Sequence, residues 1–319
     1  MLYALTLIFA FLGAIACALA LMLAAPLAIP SPLASVAEGG KRIAAEGAPE
    51  LSRFQARDGT WLAYRLYDAA NGARDRLAFL AHGSSAQSIA MNQVGIAMAR
   101  AGVNAVAMDM RGHGASGTRG DIAYAGQLDD DLADLAAELR RTFASASFSL
   151  IGHSSGGGFA LRIAAGPTGA LFDRFVLLAP YLGYSAPTNR PVTDSHRWAS
   201  PNIPRILAIQ TLDRLGLDWP QGLPTLAFAV APQWKPILAT WYSWRLMTNY
   251  AAPDDWKKAF QKGRGRIVVL SGEDDELMDA AAYQRELTPL GMEVRLVPGV
   301  DHMGVVHSPD ALQALVGIL

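Results

Sequence analysis

The sequence predicts an α/β fold in which a mostly parallel sheet is flanked by helices and preceded by an apolar helix. Three observations predict this arrangement. A strand-like run, a turn rich in glycine and serine, and a helix-like run follow one another at residues 148–165. Two later β-branched runs, 266–270 and 293–297, each lead into a polar loop, as strands do at the carboxyl edge of a parallel sheet. Residues 1–37 carry no charged side chain.

The most informative motif is Gly-His-Ser-Ser-Gly at residues 152–156. The apolar run Phe148–Ile151 predicts a buried strand, and residues 157–165 predict a helix that ends at Gly166-Pro167. A serine between strand and helix, with a glycine two residues before and two after, is typical of a nucleophile elbow. The alternative interpretation is a helix start capped by serine. The elbow interpretation makes Ser154 the candidate nucleophile.

Candidate partners for this serine follow the two late strands. Residues 266–270 open into the acidic run 273–276, and residues 293–297 run into a loop that carries His302. A serine hydroxyl needs an imidazole to accept its proton and a carboxylate to orient that imidazole. Nucleophile, acid and histidine therefore follow one another in the order that elbow enzymes use.

Five motifs in this order resemble the α/β-hydrolase superfamily, in its branch of monoacylglycerol lipases, lysophospholipases and serine aminopeptidases. They are His82-Gly83-Ser84-Ser85, Asp109-Met110-Arg111-Gly112-His113-Gly114-Ala115-Ser116, the elbow, Gly272-Glu273-Asp274-Asp275 and Asp301-His302. The resemblance covers residues 51–319. It implies an α/β-hydrolase fold, with a mostly parallel eight-stranded sheet flanked by helices and an inserted lid.

The same resemblance implies a role for each site residue. Ser154 would be the nucleophile, His302 the general base and acid, and Asp275 the orienting carboxylate, three residues after the glycine that ends the strand. Backbone N–H groups of Ser84 and Ser155 would form the oxyanion hole.

Some alternatives stay open at this point. Asp274 and Glu276 lie one register from the candidate acid, and His307 competes with the candidate base. The chain also has Ser85-Ala86 where the lipase branch often has Gly-Glu.

Residues 182–257 separate two predicted strands and are too many for a plain crossover, so they are expected to form the lid. Six of the seven tryptophans fall in this stretch. Ile237, Trp241 and Trp244 have a spacing that predicts one helical face. That face either packs the lid onto the body or contacts an acyl chain or lipid surface, which makes Trp241 and Trp244 candidate substrate-binding residues.

The amino-terminal segment predicts a membrane anchor at residues 1–27 and a linker at 28–50. More than twenty helical residues reach ~36 Å, enough for a hydrocarbon core of ~30 Å. The alternative is a signal peptide cleaved after Ser35-Val36-Ala37, followed by secretion. The apolar run is longer than a usual signal core, and no Lys or Arg precedes it. Lys41 and Arg42 weakly favour a cytoplasmic catalytic domain.

Composition excludes several other classes. The net charge of −1 gives no basic surface for nucleic acid, and the single Cys17 excludes an intrachain disulfide or a cysteine-built metal site. We therefore expect a membrane-anchored serine hydrolase that cleaves carboxylic esters through an acyl-enzyme, without cofactor or metal. A lysophospholipid or monoacylglycerol is the expected substrate.

Two other functions remain as alternatives. An aminopeptidase-like serine peptidase needs lid carboxylates to hold a substrate amine, and Asp194, Asp213 or Asp218 are candidates. A non-catalytic binding protein of hydrolase fold is the second alternative.

Overall fold

The computed structural model describes residues 2–42, 45–191 and 197–319, and in these residues eleven strands form two sheets. The strands are β1 (Ser52–Gln55), β2 (Trp61–Tyr67), β3 (Arg76–Ala81), β4 (Asn104–Met108), β5 (Ser147–His153), β6 (Arg174–Leu178), β7 (Ala199–Pro201), β8 (Pro224–Phe228), β9 (Trp241–Ser243), β10 (Ile267–Gly272) and β11 (Glu293–Val297). The large sheet has eight strands in the order β1-β2-β4-β3-β5-β6-β10-β11. Only β2 runs against the others, so the predicted mostly parallel eight-stranded sheet is confirmed.

Helices cover both faces of this sheet. The helices are α1 (Leu2–Ala24), α2 (Ala34–Lys41), α3 (Asn92–Arg100), α4 (Gln127–Arg140), α5 (Ser155–Ala165), α6 (Ile203–Arg214), α7 (Trp244–Asn249), α8 (Trp256–Lys262), α9 (Ala280–Leu287) and α10 (Pro309–Val316). Helices α3 and α10 bury their apolar side chains on one face, and α4, α5, α8 and α9 bury theirs on the other.

The central strand β3 shows why the sheet is sandwiched. Leu77, Phe79 and Ala81 belong to one apolar cluster, whereas Ala78 and Leu80 belong to the other. Successive side chains of a strand point to opposite faces, so a strand buried on both sides is apolar throughout. The run Leu77–Ala81 is therefore close to fully buried.

A second, three-stranded antiparallel sheet of β7, β8 and β9 lies in the segment between β6 and β10, together with α6, α7 and α8. The helical face predicted through Ile237, Trp241 and Trp244 is wrong. Trp241 lies in β9 and pairs with Ala227 of β8, and Trp244 begins α7 only afterwards. The backbone N–H and C=O groups of this segment form hydrogen bonds with the neighbouring strand, where a helix would have formed them within the segment.

Helix α1 is long and apolar enough to cross a membrane, and it is exposed along nearly its whole length. Its last turn contacts α6, where Arg205 donates to the carbonyls of Leu23 and Ala25 and Asn202 donates to those of Ala25 and Pro26. These donors satisfy carbonyls that a helix end leaves without an intrahelical partner.

Candidate active site

Ser154 lies in the sharp turn between β5 and α5. Its backbone has φ 54° and ψ −117°, a conformation that side-chain-bearing residues rarely adopt. A Cβ added at Gly152 would lie 2.0 Å from the carbonyl oxygen of Gly156, and one at Gly156 would lie 2.4 Å from that of His82. The two glycines of the motif are therefore required by close backbone contact, and the elbow geometry expected for this motif is present.

Asp275 and His302 form a buried pair in the loops that follow β10 and β11. The imidazole Nδ1 of His302 lies 2.7 Å from Oδ2 of Asp275, and both side chains are almost inaccessible to solvent. The other carboxylate oxygen accepts the backbone N–H groups of Leu277 and Met278. Burial raises the pKa of the Asp275 carboxyl, but His302 and these N–H groups outweigh burial, so its pKa lies below the usual value. Asp275 is thus an ionised acceptor with a fixed orientation.

His302 is held by its backbone as well as by its ring. Its N–H donates to Oε2 of Glu276, and its carbonyl accepts Nε2–H of His153 at 3.1 Å. Burial lowers the pKa of His302, but the charge and hydrogen bond of Asp275, with smaller effects of Glu276 and Asp301, raise it above its ordinary value overall. Donation from Nδ1 leaves Nε2 of the neutral ring as an acceptor.

The competing candidates for acid and base lie elsewhere. Asp274 is exposed, and Glu276 contacts the backbone rather than the ring of His302. His307 does not line the cavity that contains Ser154 and His302. The geometry therefore brings Ser154, Asp275 and His302 together.

The loop after β3 carries the candidate oxyanion-hole residue Ser84. The next residue, Ser85, has φ 69°, and its N–H donates to the hydroxyl of Tyr242 at 2.6 Å while its Oγ donates to the carbonyl of Ala239. Within the described residues the N–H of Ser84 has no acceptor. Ser155 is the first residue of α5, where an N–H has no intrahelical acceptor either. Both amides are therefore free to donate to a ligand.

The buried residue His113 contacts the loop after β3 through the hydroxyl of Tyr242. The hydroxyl of Tyr242 lies 2.5 Å from Nε2 of His113, whose Nδ1 faces the carbonyls of Met110 and Arg111. Burial, followed by the neighbouring His82, lowers the pKa of His113 well below its ordinary value. His113 is therefore neutral and protonated on Nδ1, so Tyr242 donates to His113 and accepts from Ser85.

The other polar residues of the Asp109–Ser116 motif have structural partners. Asp109 accepts the backbone N–H groups of Ser88 and Ala115. Arg111 is 6% exposed and forms ion pairs with Asp131 and Asp58. Removing one partner of such a buried pair costs about 3–5 kcal/mol, so these residues fix the loop rather than contact a ligand.

A cavity of about 280 Å³ opens beside Ser154 and His302. Its walls are mostly apolar, and the segment between β6 and β10, where a lid was expected, contributes Trp198, Trp234, Ile237 and Leu238. The linker helix α2 contributes three further residues, which are Val36, Ala37 and Gly40.

The candidate substrate-binding residues Trp241 and Trp244 do not line this cavity, so the structure does not support that assignment. The backbone of Trp241 packs against Gly120. A Cβ added at Gly120 would lie 2.6 Å from the carbonyl oxygen of Trp241. Trp198 and Trp234 line the cavity instead of Trp241 and Trp244. Trp198 also donates its indole N–H to Oγ of Ser84.

The model of the family described as "Serine aminopeptidase, S33" matches residues 72–305. The chain belongs to this family. The match includes the elbow, Asp275 and His302. Among curated proteins no match was found.

Solved structures of α/β-hydrolases share the fold of this family member. A soluble variant of monoglyceride lipase from Saccharomyces cerevisiae is 15% identical, with a TM-score of 0.57 over 92% of this chain and 96% of that one. Monoacylglycerol lipase from Paleococcus ferrophilus is 17% identical, with a TM-score of 0.57 over 81% and 97%. A bacterial membrane phospholipase A is 16% identical, with a TM-score of 0.54 over 100% and 99%.

Three features of the site escaped the sequence analysis. His153 is the variable residue of the elbow motif, and nothing in the motif indicates that its ring holds the carbonyl of His302. Tyr242 contacts Ser85 across 157 residues of sequence. The linker helix lines the cavity, and its only sequence signal is the pair Gly39-Gly40 inside a helix, where glycine is otherwise disfavoured.

Proposed function

We propose that this protein is a serine hydrolase that cleaves carboxylic esters of lipid-like substrates through an acyl-enzyme intermediate. The observation that carries the proposal is the 2.7 Å contact between His302 Nδ1 and Asp275 Oδ2, on a histidine that lines the same cavity as Ser154. A neutral imidazole oriented by a buried carboxylate is the base that a serine hydroxyl requires.

In the proposed mechanism, Oγ of Ser154 attacks the ester carbonyl while Nε2 of His302 accepts the hydroxyl proton. The N–H groups of Ser84 and Ser155 donate to the negative oxygen of the tetrahedral intermediate. His302 then gives its proton to the leaving alcohol, and the acyl group stays on Ser154. Water, activated by the same imidazole, attacks the acyl-enzyme and releases the carboxylic acid.

The cavity suits an uncharged apolar group, such as the acyl chain of a lipid ester. None of the described residues that line it is Asp, Glu, Lys or Arg. Its volume of about 280 Å³ is close to the lower end of the roughly 300–1,000 Å³ range of small-molecule sites. The similar structures include two lipases of monoacylglycerol or monoglyceride and one membrane phospholipase A, which supports a lipid ester such as a monoacylglycerol or lysophospholipid.

The lining also weighs against the peptidase alternative, which the family description suggests. A substrate with a free amino terminus needs a carboxylate to neutralise its charge. Asp213 and Asp218 are exposed and do not line the cavity, and Asp194 lies outside the described residues. An ester is therefore the substrate that the cavity favours.

We further propose that α1 spans a membrane and is retained. Cleavage after Ala37, the alternative, would cut through α2 and remove Val36 and Ala37 from the wall of the cavity. The structure of a bacterial membrane phospholipase A matches over the whole of this chain, including α1, which supports a membrane location.

Hydrolysis of p-nitrophenyl esters from acetyl to palmitoyl by the detergent-solubilised full chain tests the proposed reaction. Ser154→Ala should lower kcat by roughly 10³-fold or more, because it removes the nucleophile while the remaining donors and cavity stay in place. Ser52→Ala, at an exposed serine of β1, is the control and should keep wild-type turnover. A folded Ser154→Ala variant with wild-type kcat would exclude the mechanism.

A further inference from the structure

The helix that follows the membrane segment is part of the catalytic cavity. Val36, Ala37 and Gly40 of α2 line the space beside Ser154 and His302. Gly40 comes four residues after Val36 and three after Ala37, and residues three or four apart lie on the same side of a helix. Leu33, the residue before the helix, continues this side and is 5% exposed.

The opposite side of α2 faces solvent. Glu38 is exposed and pairs with Lys41, also exposed, at a spacing of three residues. Such surface pairs contribute little to stability, about 0–1 kcal/mol. The helix is therefore amphipathic, and its apolar side forms part of the cavity wall.

Helix α2 packs closely against the loop that carries His302, with Gly39 facing the side chain of Met303. A Cβ at Gly39 would lie 2.6 Å from both Cβ and Cγ of Met303, the residue after His302. Both of these atoms lie near the backbone, so the loop has little freedom to give way. Glycine inside a helix costs about 0.5–1 kcal/mol relative to alanine, and this contact explains why the helix tolerates it.

An ion pair between Arg42 and Asp301 adds a second contact to the same loop at 2.9 Å. Both side chains are partly exposed, so this pair is worth at most about 1 kcal/mol. The Gly39–Met303 contact and this ion pair both place α2 beside the loop that carries His302.

From these contacts we infer that α2 is the element that sets acyl-chain length, so that the linker to the membrane segment is also a substrate-specificity element. The inference rests on the proposed ester hydrolysis. Side chains at positions 36 and 37 face the apolar space that an acyl chain would fill. A larger side chain there shortens the accepted chain, and a smaller one lengthens it.

Three variants of the full chain in detergent test the inference through the ratio of kcat/KM for long and short p-nitrophenyl esters. Ala37→Phe should lower the palmitoyl-to-butyryl ratio at least about tenfold, as steric changes in apolar pockets do. Val36→Ala should raise the ratio or shift the optimum to longer chains. Ala34→Phe makes the same change as Ala37→Phe at an exposed position of α2 and should leave the ratio unchanged.

Wild-type ratios in Ala37→Phe and Val36→Ala would overturn the inference, as would an equal shift in Ala34→Phe. Failure of the proposed function has a different signature, because the wild type would then hydrolyse no ester in a Ser154-dependent way. In that case the role of α2 is tested by measuring the affinity of each variant for the fluorescent fatty acid cis-parinaric acid. Ala37→Phe should weaken this binding at least about tenfold relative to Ala34→Phe, and equal binding would overturn it.

Discussion

At His302, three contacts fix one residue: Asp275 holds the ring, Glu276 the backbone N–H and His153 the carbonyl. Burial lowers the pKa of His153 to about 3, so its ring stays neutral at physiological pH. A neutral ring donates through Nε2 without adding a positive charge beside His302. His302, the proposed general base, is therefore held by two carboxyl side chains and one uncharged ring.

At this scale, Asp275→Asn should reduce kcat by roughly 10³–10⁴-fold, because the amide holds the wrong tautomer and no longer stabilises the imidazolium. The pH profile gives an independent readout. Asp275 helps to raise the pKa of His302, and the protonated ring cannot accept the serine proton, so wild-type activity is lost as pH falls through a midpoint above about 6.5.

Asp274→Asn is the matched control, since Asp274 is exposed one residue away. It should retain activity within a few-fold, and its acid limb should stay at the wild-type pH. Kinetics of both variants over pH 5–9 separate the roles, and a larger loss in Asp274→Asn would assign the acid to the neighbouring position.

Among the elements, the segment that carries the three-stranded sheet is joined to the loop after β3 by several hydrogen bonds, and the hydroxyl of Tyr242 makes one of them. Tyr242 of β9 accepts from the N–H of Ser85 and donates to His113, and Ala239 accepts from Oγ of Ser85. Ser85 has a positive φ that costs about 1–3 kcal/mol unless neighbouring contacts maintain it. The lid therefore helps to keep the adjacent Ser84 amide in place.

Tyr242→Phe should lower kcat about tenfold and change KM little, because it leaves the Ser85 N–H and His113 Nε2 without partners at about 1–3 kcal/mol each. Tyr67→Phe removes another buried hydroxyl, which donates to Asn92 at a distance from this loop. It should reduce the free energy of unfolding by a similar amount but leave kcat unchanged. Equal kcat in the two variants would restrict Tyr242 to a stabilising role.

The elements that sequence predicts well are those whose determinants are local. The run from β5 through the elbow to α5 carries its apolar strand, its glycines and its helix within 19 residues, 147–165. Residues 237–244 contain a helical spacing of apolar side chains, yet Trp241 pairs with Ala227 of β8, which lies outside that window. Tertiary pairing of this kind outweighs local spacing, and no single-sequence pattern reports it.

The same limit explains the incomplete sequence prediction of the site. The order of Ser154, Asp275 and His302 follows from strands of one parallel sheet, whose carboxyl ends meet at one edge. Contacts to that edge from outside the sheet, made by Tyr242 of the lid and Ala37 of the linker, depend on how the added segments fold back. Those segments carry no motif for these contacts.

For the whole molecule, the apolar helix α1, the segment between β6 and β10, and the cavity are physically connected. Arg205 of α6 and Asn202, which caps that helix, bind the end of α1, and α2 follows α1 along the chain to the cavity wall. Leu215, Leu217 and Trp219, which follow α6, are exposed apolar residues of the lid. If α1 spans the bilayer, the first turn of α6 lies at the level where the chain leaves it.

Membrane retention through α1 gives the prediction at this scale. Phe9→Lys, Leu12→Lys and Ala16→Lys together should release the chain from the membrane fraction during alkaline carbonate extraction, because each central lysine costs about 3 kcal/mol of insertion free energy. Alanine at positions 9 and 12 is the control and should leave the protein in the membrane. Amino-terminal sequencing of the wild type should begin before Val36. A mature chain that starts at Glu38 would instead show a cleaved signal, and the cavity of that product would lack the wall formed by Val36 and Ala37.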